Sequence, residues 1–222
     1  MLDHSPDAPT VSKVLIVDDH PILRHGIAQM IEREPDLDPC AEAGSVDEAL
    51  EVLASQQVDL MVVDLSLADQ SGMDLIRTVR THHPQVKCLV LTMHDEKLHA
   101  ERALRAGARG YLMKHETTKK IVIALRCLRD GRIFLSDTIA SDLLERMAGA
   151  SSTAPASPMA ALTDRELEVL RLIGRGLKTG DIARTLHRSV HTVEAHRANI
   201  KRKLGLRTAQ ELAHAAFSAM PQ

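Results

Sequence analysis

Five side chains in this 222-residue chain are of types suited to moving or holding a charged group, and each closes a short apolar run. Asp18 and Asp19 follow VLIV (14–17), Asp64 follows LMVV (60–63), Thr92 ends KCLVLT (87–92) and Lys114 ends RGYLMK (109–114). Singly, each has an ordinary structural use, as a helix cap, a turn start or a solvated lysine. Gathered on one rim they imply more. Three carboxylates at an open edge repel one another unless a hard divalent cation sits among them. An oxygen-only set with room for water suits Mg²⁺ rather than Zn²⁺. A cation between carboxylates, with a lysine opposite, is a layout for phosphoryl transfer: metal and ammonium neutralise the equatorial oxygens while a carboxylate attacks.

The elements needed to build such a rim are legible in the pattern of apolar residues. VLIVD (14–18) and LMVVD (60–64) are continuous apolar runs, as strands covered on both faces should be. DPCAEA (38–43), KCLVLT and RGYLMK supply three more strands. Between them, helical spacing predicts helices over 21–33, 46–55, 72–82, 95–106 and 117–130. Five strands alternating with five helices predict an α/β fold, a parallel sheet doubly wound by right-handed crossovers. Ligands of such sheets bind outside the carboxyl ends of the strands, where the five polar residues fall.

Composition excludes several classes. With 44% hydrophobic and 26% charged residues the chain is neither disordered nor collagen-like. No run of about 18 apolar residues predicts a membrane span, and the N-terminal MLDHSPDAPT lacks a basic region followed by an apolar one. A cytoplasmic protein with no membrane partner is expected. The scattered Cys40, Cys88 and Cys127 read as reduced core thiols. Aromatic residues are limited to Tyr111, Phe134 and Phe217, which argues against nucleic-acid binding by base stacking.

Charge divides the chain unevenly. Residues 1–161 carry 17 basic against 24 acidic side chains, and residues 162–222 carry 11 against 6. A basic end suggests a polyanionic partner for that end. Between them AGASSTAPASPMAA (148–161) has two prolines and no charge, too little apolar area to offset its ordering entropy, and reads as a linker. The expected domains are therefore 12–132, a helical extension and linker over 133–161, and a small all-α domain over 162–222. In the last of these, Thr163 and Glu166 form a capping box opening the helix of 162–176. TGDIARTLH (179–187) and SVHTVEAHRANIKRKLGL (189–206) form two helices joined by a tight turn, the second basic along one face and capped by Gly205, which is the helix-turn-helix pattern. TAQELAHAAFSAM (208–220) is a fourth helix. A helical dimerisation bundle with a solvated basic face is the alternative on charge alone.

The run VLIVDDHP (14–21), the Asp64 to Gly72 spacing, LTMH (91–94) and YLMKH (111–115) resemble the receiver domain of bacterial two-component response regulators, a flavodoxin-like fold. LT-x-RE-x-EVL, the GL-x₄-IA segment (176–183) and TV-x₂-H-x₂-NI-x₂-KL (192–204) resemble the LuxR-type domain of the NarL/FixJ subfamily. The resemblance implies that Asp64 is the phospho-acceptor, charged by a partner sensor histidine kinase. It implies that Asp19, Asp18, Asp64 and the Ser66 carbonyl hold Mg²⁺, that Lys114 pairs with the phosphoryl oxygens, and that Thr92 and Tyr111 switch. It makes 189–204 the recognition helix in the major groove of promoter DNA. Glu194, Ala195 and Ala198 align with base contacts, and Arg197 and Lys201 lie alongside. Thr192 is expected among the DNA-binding residues, and Lys178, Arg188, His196, Lys201, Arg202 and Lys203 at phosphates or in the core.

Two positions depart from the receiver pattern, and Lys178 and Gly180 depart from the Ser and Lys more usual in the turn of the LuxR-type domain. Ala68 stands where proline is usual, and His115 follows the lysine where many receivers have a cis proline, so a trans bond or a strained one is expected. The implied mechanism is a homodimer favoured by phosphorylation and bound to paired half-sites about 10 bp apart or a multiple of that. It is an enzyme only towards its own phosphorylation and dephosphorylation. A phosphorylation-independent regulator using the receiver as a docking module is the alternative. An aspartyl-phosphate hydrolase is a third reading, disfavoured by Ser66 two residues beyond Asp64, where a second acidic group would be needed.

Overall fold

A computed structural model of the chain describes residues 11–67, 71–93, 96–116, 118–147, 162–186 and 188–218. The chain divides into two compact units, with the division between Ala150 and Ser151. The first holds the parallel sheet, in the order β2-β1-β3-β4-β5: β1 Ser12–Val17, β2 Leu37–Ala43, β3 Leu60–Val63, β4 Lys87–Thr92 and β5 Gly110–Met113. Helices α1 (Pro21–Ile31), α2 (Val46–Ser55), α3 (Gly72–His82), α4 (Glu96–Ala106) and α5 (Thr118–Arg129) alternate with them. All five strands and all five helices fall where periodicity predicts, with ends shifted by a residue or two as helix ends fray. Val14 to Val17 and Leu60 to Val63 are buried along their whole length. This is why both runs are continuous rather than alternating: each face of a central parallel strand meets a helix layer.

Two cores result. Leu15, Val17, Met61, Val63, Val90, Leu75 and Ile76 pack on one face, and Val14, Ile16, Val62, Leu89, Leu91, Leu125 and Leu128 on the other. At about 1.5–3 kcal/mol for each large aliphatic side chain buried, these two layers are the main stabilising term of the unit. Cys88 belongs to this interior, and burial pushes its thiol up to about 12. Cys40 and Cys127 are only half-buried, so one of the three expected core thiols is one.

The extension beyond α5 joins the same core. Phe134 N donates to Arg109 O at 3.0 Å and Tyr111 N donates to Phe134 O at 2.9 Å, so this segment pairs in parallel with β5 at the sheet edge. Helix α6 (Asp137–Met147) then buries Ile139 in the layer that holds Ala100, Ala103 and Tyr111, with Leu135 and Leu143 packed against it. The expected linker, 148–161, lies outside the described residues, as does Ala68.

The second unit is all helical: α7 (Asp164–Gly174), α8 (Thr179–Thr185), α9 (Val190–Leu204) and α10 (Ala209–Ser218). Leu162, Val169, Leu170, Ile182, Val193, Ile200, Leu212 and Ala216 are its buried side chains at 1% exposure or less. The capping box is formed: Glu166 N donates to Thr163 Oγ1 and Thr163 N to Glu166 Oε2. Gly205 closes α9 at φ 69°, the left-handed cap expected of it. Among the described residues no helix is long and apolar enough to cross a membrane.

Candidate functional site

The strand order reverses direction between β1 and β3, which leaves a crevice at their carboxyl ends. Val17 pairs with Val63, and the backbone leaves the sheet one residue later on both strands. Asp64 N still donates to Val17 O at 2.9 Å and Asp18 N to Ala43 O at 3.1 Å, so both carboxylates are anchored by the ladder itself. On the other side, Lys114 N donates to Thr92 O at 2.8 Å, extending the β4–β5 pairing to the rim. Four strands thus deliver Asp18, Asp64, Thr92 and Lys114 at one level.

The side chains converge. Lys114 Nζ lies 2.7 Å from Asp64 Oδ2 and 2.7 Å from Asp18 Oδ2, and all three side chains are less than a tenth exposed. Burial alone would lower the Lys114 pKa, but the Asp64 charge and hydrogen bonds to both carboxylates outweigh it and hold the ammonium above its ordinary range. Asp64 Oδ1 accepts from Ser66 N at 3.2 Å. Thr92 and Tyr111 are buried, at 0% and 2% exposure. The bond from Lys114 to His115 is trans, like every peptide bond described.

Gly72 explains the spacing after Asp64. A Cβ there would stand 2.0 Å from Asp64 O and 2.9 Å from Leu65 Cα. Only glycine lets the start of α3 lie on the backbone that carries the acid, where Gly72 N donates to Leu65 O.

Ligand atoms of Asp18, Asp19, His20 and Asp64 lie within 4.8 Å of one another. Three carboxylates against the single Lys114 ammonium leave two negative charges in excess, the charge of a divalent cation. Asp19 Oδ1 is shut off from solvent and accepts no hydrogen bond. A buried, unsatisfied carboxylate oxygen in an over-acidic pocket fits a hard cation. His20 is the residue that sequence reasoning passed over. Its only signal was adjacency in the Asp-Asp-His run.

In the second unit, α9 turns one stripe outward. His191, Glu194, Ala195, Ala198 and Arg202 are exposed, while Val193 and Ile200 face the core. Arg197, Lys201 and Thr192 flank this stripe half-buried, Lys178 is exposed at the N-cap of α8, and Arg188 is half-buried before α9. Not every predicted contact is free to reach outward. Thr179 Oγ1 donates to Glu194 Oε1 at 2.8 Å, and Arg197 Nε lies 3.8 Å from the same oxygen. Lys203 Nζ is 2.6 Å from Glu166 Oε2, inside the domain. Burial would raise the Glu166 carboxyl, but Lys203 and the Thr163 backbone N–H outweigh it and hold the group below its usual range. Burial lowers the His196 pKa, and Arg165 and Arg188 add to the effect. His187 lies outside the described residues.

Comparison with known proteins follows the same division. Residues 14–126 match the response regulator receiver domain, and residues 160–216 match the luxR family of bacterial regulatory proteins. The chain is 35% identical over 194 residues to the nitrate/nitrite response regulator protein homolog of Haemophilus influenzae, covering 87% of this chain and 90% of that one. It is 32% identical over 210 residues to the oxygen regulatory protein NreC of Staphylococcus epidermidis, covering 92% and 96%. A solved structure of RcsB from Salmonella enterica serovar Typhimurium, bound to a promoter in the presence of the phosphomimetic BeF₃⁻, is 26% identical. It superposes with a TM-score of 0.58, covering 94% of this chain and 99% of that one. With an acidic crevice on a five-stranded receiver sheet and a helix-turn-helix unit later in the sequence, the chain belongs to the response regulators that join a receiver domain to a LuxR-type domain.

Proposed function

We propose that this protein is a transcriptional regulator whose promoter binding is governed by phosphorylation of Asp64, the phosphoryl group coming from the phosphohistidine of a sensor kinase. The observation that carries the reading is the pair of 2.7 Å contacts from Lys114 to Asp18 and Asp64 in a pocket with excess negative charge. Asp18, Asp19, Asp64 and the Ser66 carbonyl would hold Mg²⁺, which when bound offsets charge on the phosphoryl oxygens. The Asp64 carboxylate forms the new P–O bond as the P–N bond of the donor breaks. Lys114, freed from Asp64 by the change in charge, turns to a phosphoryl oxygen. Thr92 supplies a hydroxyl donor, and Tyr111 follows into the space it leaves. A dianion added at one buried point thus biases a two-state element. The receiver acts as an enzyme on its own aspartate alone.

The LuxR-type domain is the output. Exposed Ala195 and Ala198 leave little side chain to read bases, so direct readout rests on Glu194 and Arg197. Lys178, Arg188, Thr192 and Lys201 are expected to meet phosphates. Lys203 is expected to serve DNA binding by holding α9 against α7. The phosphorylated form is expected to bind paired half-sites as a homodimer.

The full chain, treated with acetyl phosphate and Mg²⁺ and assayed on genomic promoter fragments beside Asp64→Asn, tests this. A phosphoryl adduct at Asp64 with tighter DNA binding supports the reading. An adduct without any change in affinity would leave the receiver as a docking module.

A further inference from the structure

His20 sits at the mouth of the acidic crevice, two-thirds exposed, and its backbone N–H donates to Asp18 Oδ1 at 2.9 Å. That bond pins the residue so that its ring folds back over the carboxylates. Nδ1 donates to Asp18 Oδ1 at 3.2 Å, a proton that an ion bound there would displace, and lies 2.7 Å from Asp19 Oδ1. The shorter approach lacks hydrogen-bond geometry, since Asp19 Oδ1 accepts no hydrogen bond. A ring nitrogen and a carboxylate oxygen this close, without a hydrogen bond between them, are placed as two neighbouring ligands of one ion are. At metal–ligand distances of about 2.1 Å, adjacent octahedral ligands stand about 3.0 Å apart and opposite ones about 4.2 Å. The four ligand atoms, all within 4.8 Å of one another, meet that requirement with small adjustments.

We infer that His20 is a direct ligand of the ion held by Asp18, Asp19 and Asp64, making this a mixed oxygen–nitrogen site. The inference rests on the acidic crevice being a cation site, and it adds a selectivity that three carboxylates and a carbonyl would not have. Imidazole is a poor ligand for Mg²⁺ and a good one for first-row transition ions. His20 therefore adds affinity for Mn²⁺ and leaves Mg²⁺ binding nearly unchanged. Exposure of the ring suits this role, because the ion is reached from solvent on that side.

Binding of Mn²⁺ to the full-length protein, followed by loss of the free-ion electron paramagnetic resonance signal, gives the affinity, and displacement by Mg²⁺ gives the competing one. Electron spin-echo modulation then reports any ¹⁴N bonded to the bound Mn²⁺. The expected result is an imidazole nitrogen signal that vanishes in His20→Ala and in Asp19→Asn. In His20→Ala, Mn²⁺ affinity falls about tenfold while Mg²⁺ affinity holds. Mn²⁺ binding without a nitrogen signal, or a signal that survives His20→Ala, overturns His20 as a ligand and leaves the carboxylate site standing. Tighter Mg²⁺ binding in His20→Ala also overturns it, because the ring would then be a competitor for the acids. No cation binding at all by the unaltered protein removes both the ligand and the site.

Discussion

Among individual residues, the crevice is unstable by construction. Asp18 and Asp64 share Lys114, while Asp19 has no ammonium of its own among the described contacts. Like charges within about 5 Å cost on the order of 1–2 kcal/mol at the edge of a protein, after allowance for solvent. Asp19→Asn is therefore expected to raise the thermal stability of the metal-free protein by about that amount, and saturating Mg²⁺ is expected to erase the difference. A calorimetric scan of both proteins with and without the ion checks it; an unchanged or lowered unfolding temperature would refute the repulsion. A different acid behaves in the opposite sense. Asp36 at the far end of the sheet is held well below the usual carboxylate range, first by its hydrogen bond from Arg126, then by Arg129. Its folded pKa is depressed, so its stabilising contribution is fully present above the unfolded value of about 4 and is lost progressively as pH falls from there through the depressed folded value. Asp36→Asn should cost about 1 kcal/mol at pH 7 and clearly less near pH 2, read from denaturant unfolding at the two values.

For whole elements, the positions that matter are those where two backbones or two helices meet. Gly72 lets α3 rest on the Asp64 carbonyl. Gly72→Ala is expected to cost about 3 kcal/mol, as overpacking against backbone does, and to slow labelling of Asp64 because the acid's own loop must move. Labelling at the normal rate in a destabilised variant would show the loop to be more compliant than this contact implies. In the second unit, Glu166 caps α7 and takes Lys203 of α9, so one buried carboxylate ties the entry of the domain to α9. Lys203→Met should destabilise the domain while leaving the salt dependence of DNA binding nearly intact. Lys201→Met should lower that dependence by about one phosphate's worth of released counterion. Titrations of DNA binding against salt for the two variants separate the roles.

At the level of the whole molecule, the two units have opposite charge and separate cores, and the proposed function joins them through one covalent event. A near-complete shift between two states needs about 5.5 kcal/mol of differential interaction. Lys114, Thr92 and a bound cation acting on one dianion are of the right kind to supply much of it. Genome-wide occupancy of the intact protein against Asp64→Asn is expected to differ at target promoters and agree elsewhere. Identical occupancy at all sites would remove phosphorylation from the account. The packing of α6 has a consequence here. Because Ile139 and Leu143 share a layer with Tyr111, and Phe134 pairs with β5, the segment leading out of the receiver touches the region expected to move.

Local pattern decided a great deal. Continuous apolar runs such as 14–17 and 60–63 name central parallel strands, because only a strand covered on both faces tolerates them. The polar residue ending each run then falls on one rim, which is why Asp18, Asp64, Thr92 and Lys114 are legible as a group in the pattern alone. The capping box at Thr163 and the glycine cap at 205 are equally local, since they depend on residues three or four apart. What a one-dimensional pattern lacks is direction in space. Nothing in the order of residues says that the His20 ring turns back over Asp19, that Glu166 meets Lys203 across 37 positions, that Glu194 is engaged by Thr179, or that Phe134 pairs with the edge of β5. Those pairings follow from packing two helix layers on a twisted sheet, and three helices on a fourth. Side chains distant in sequence meet there because the apolar faces beneath them have no other way to be buried.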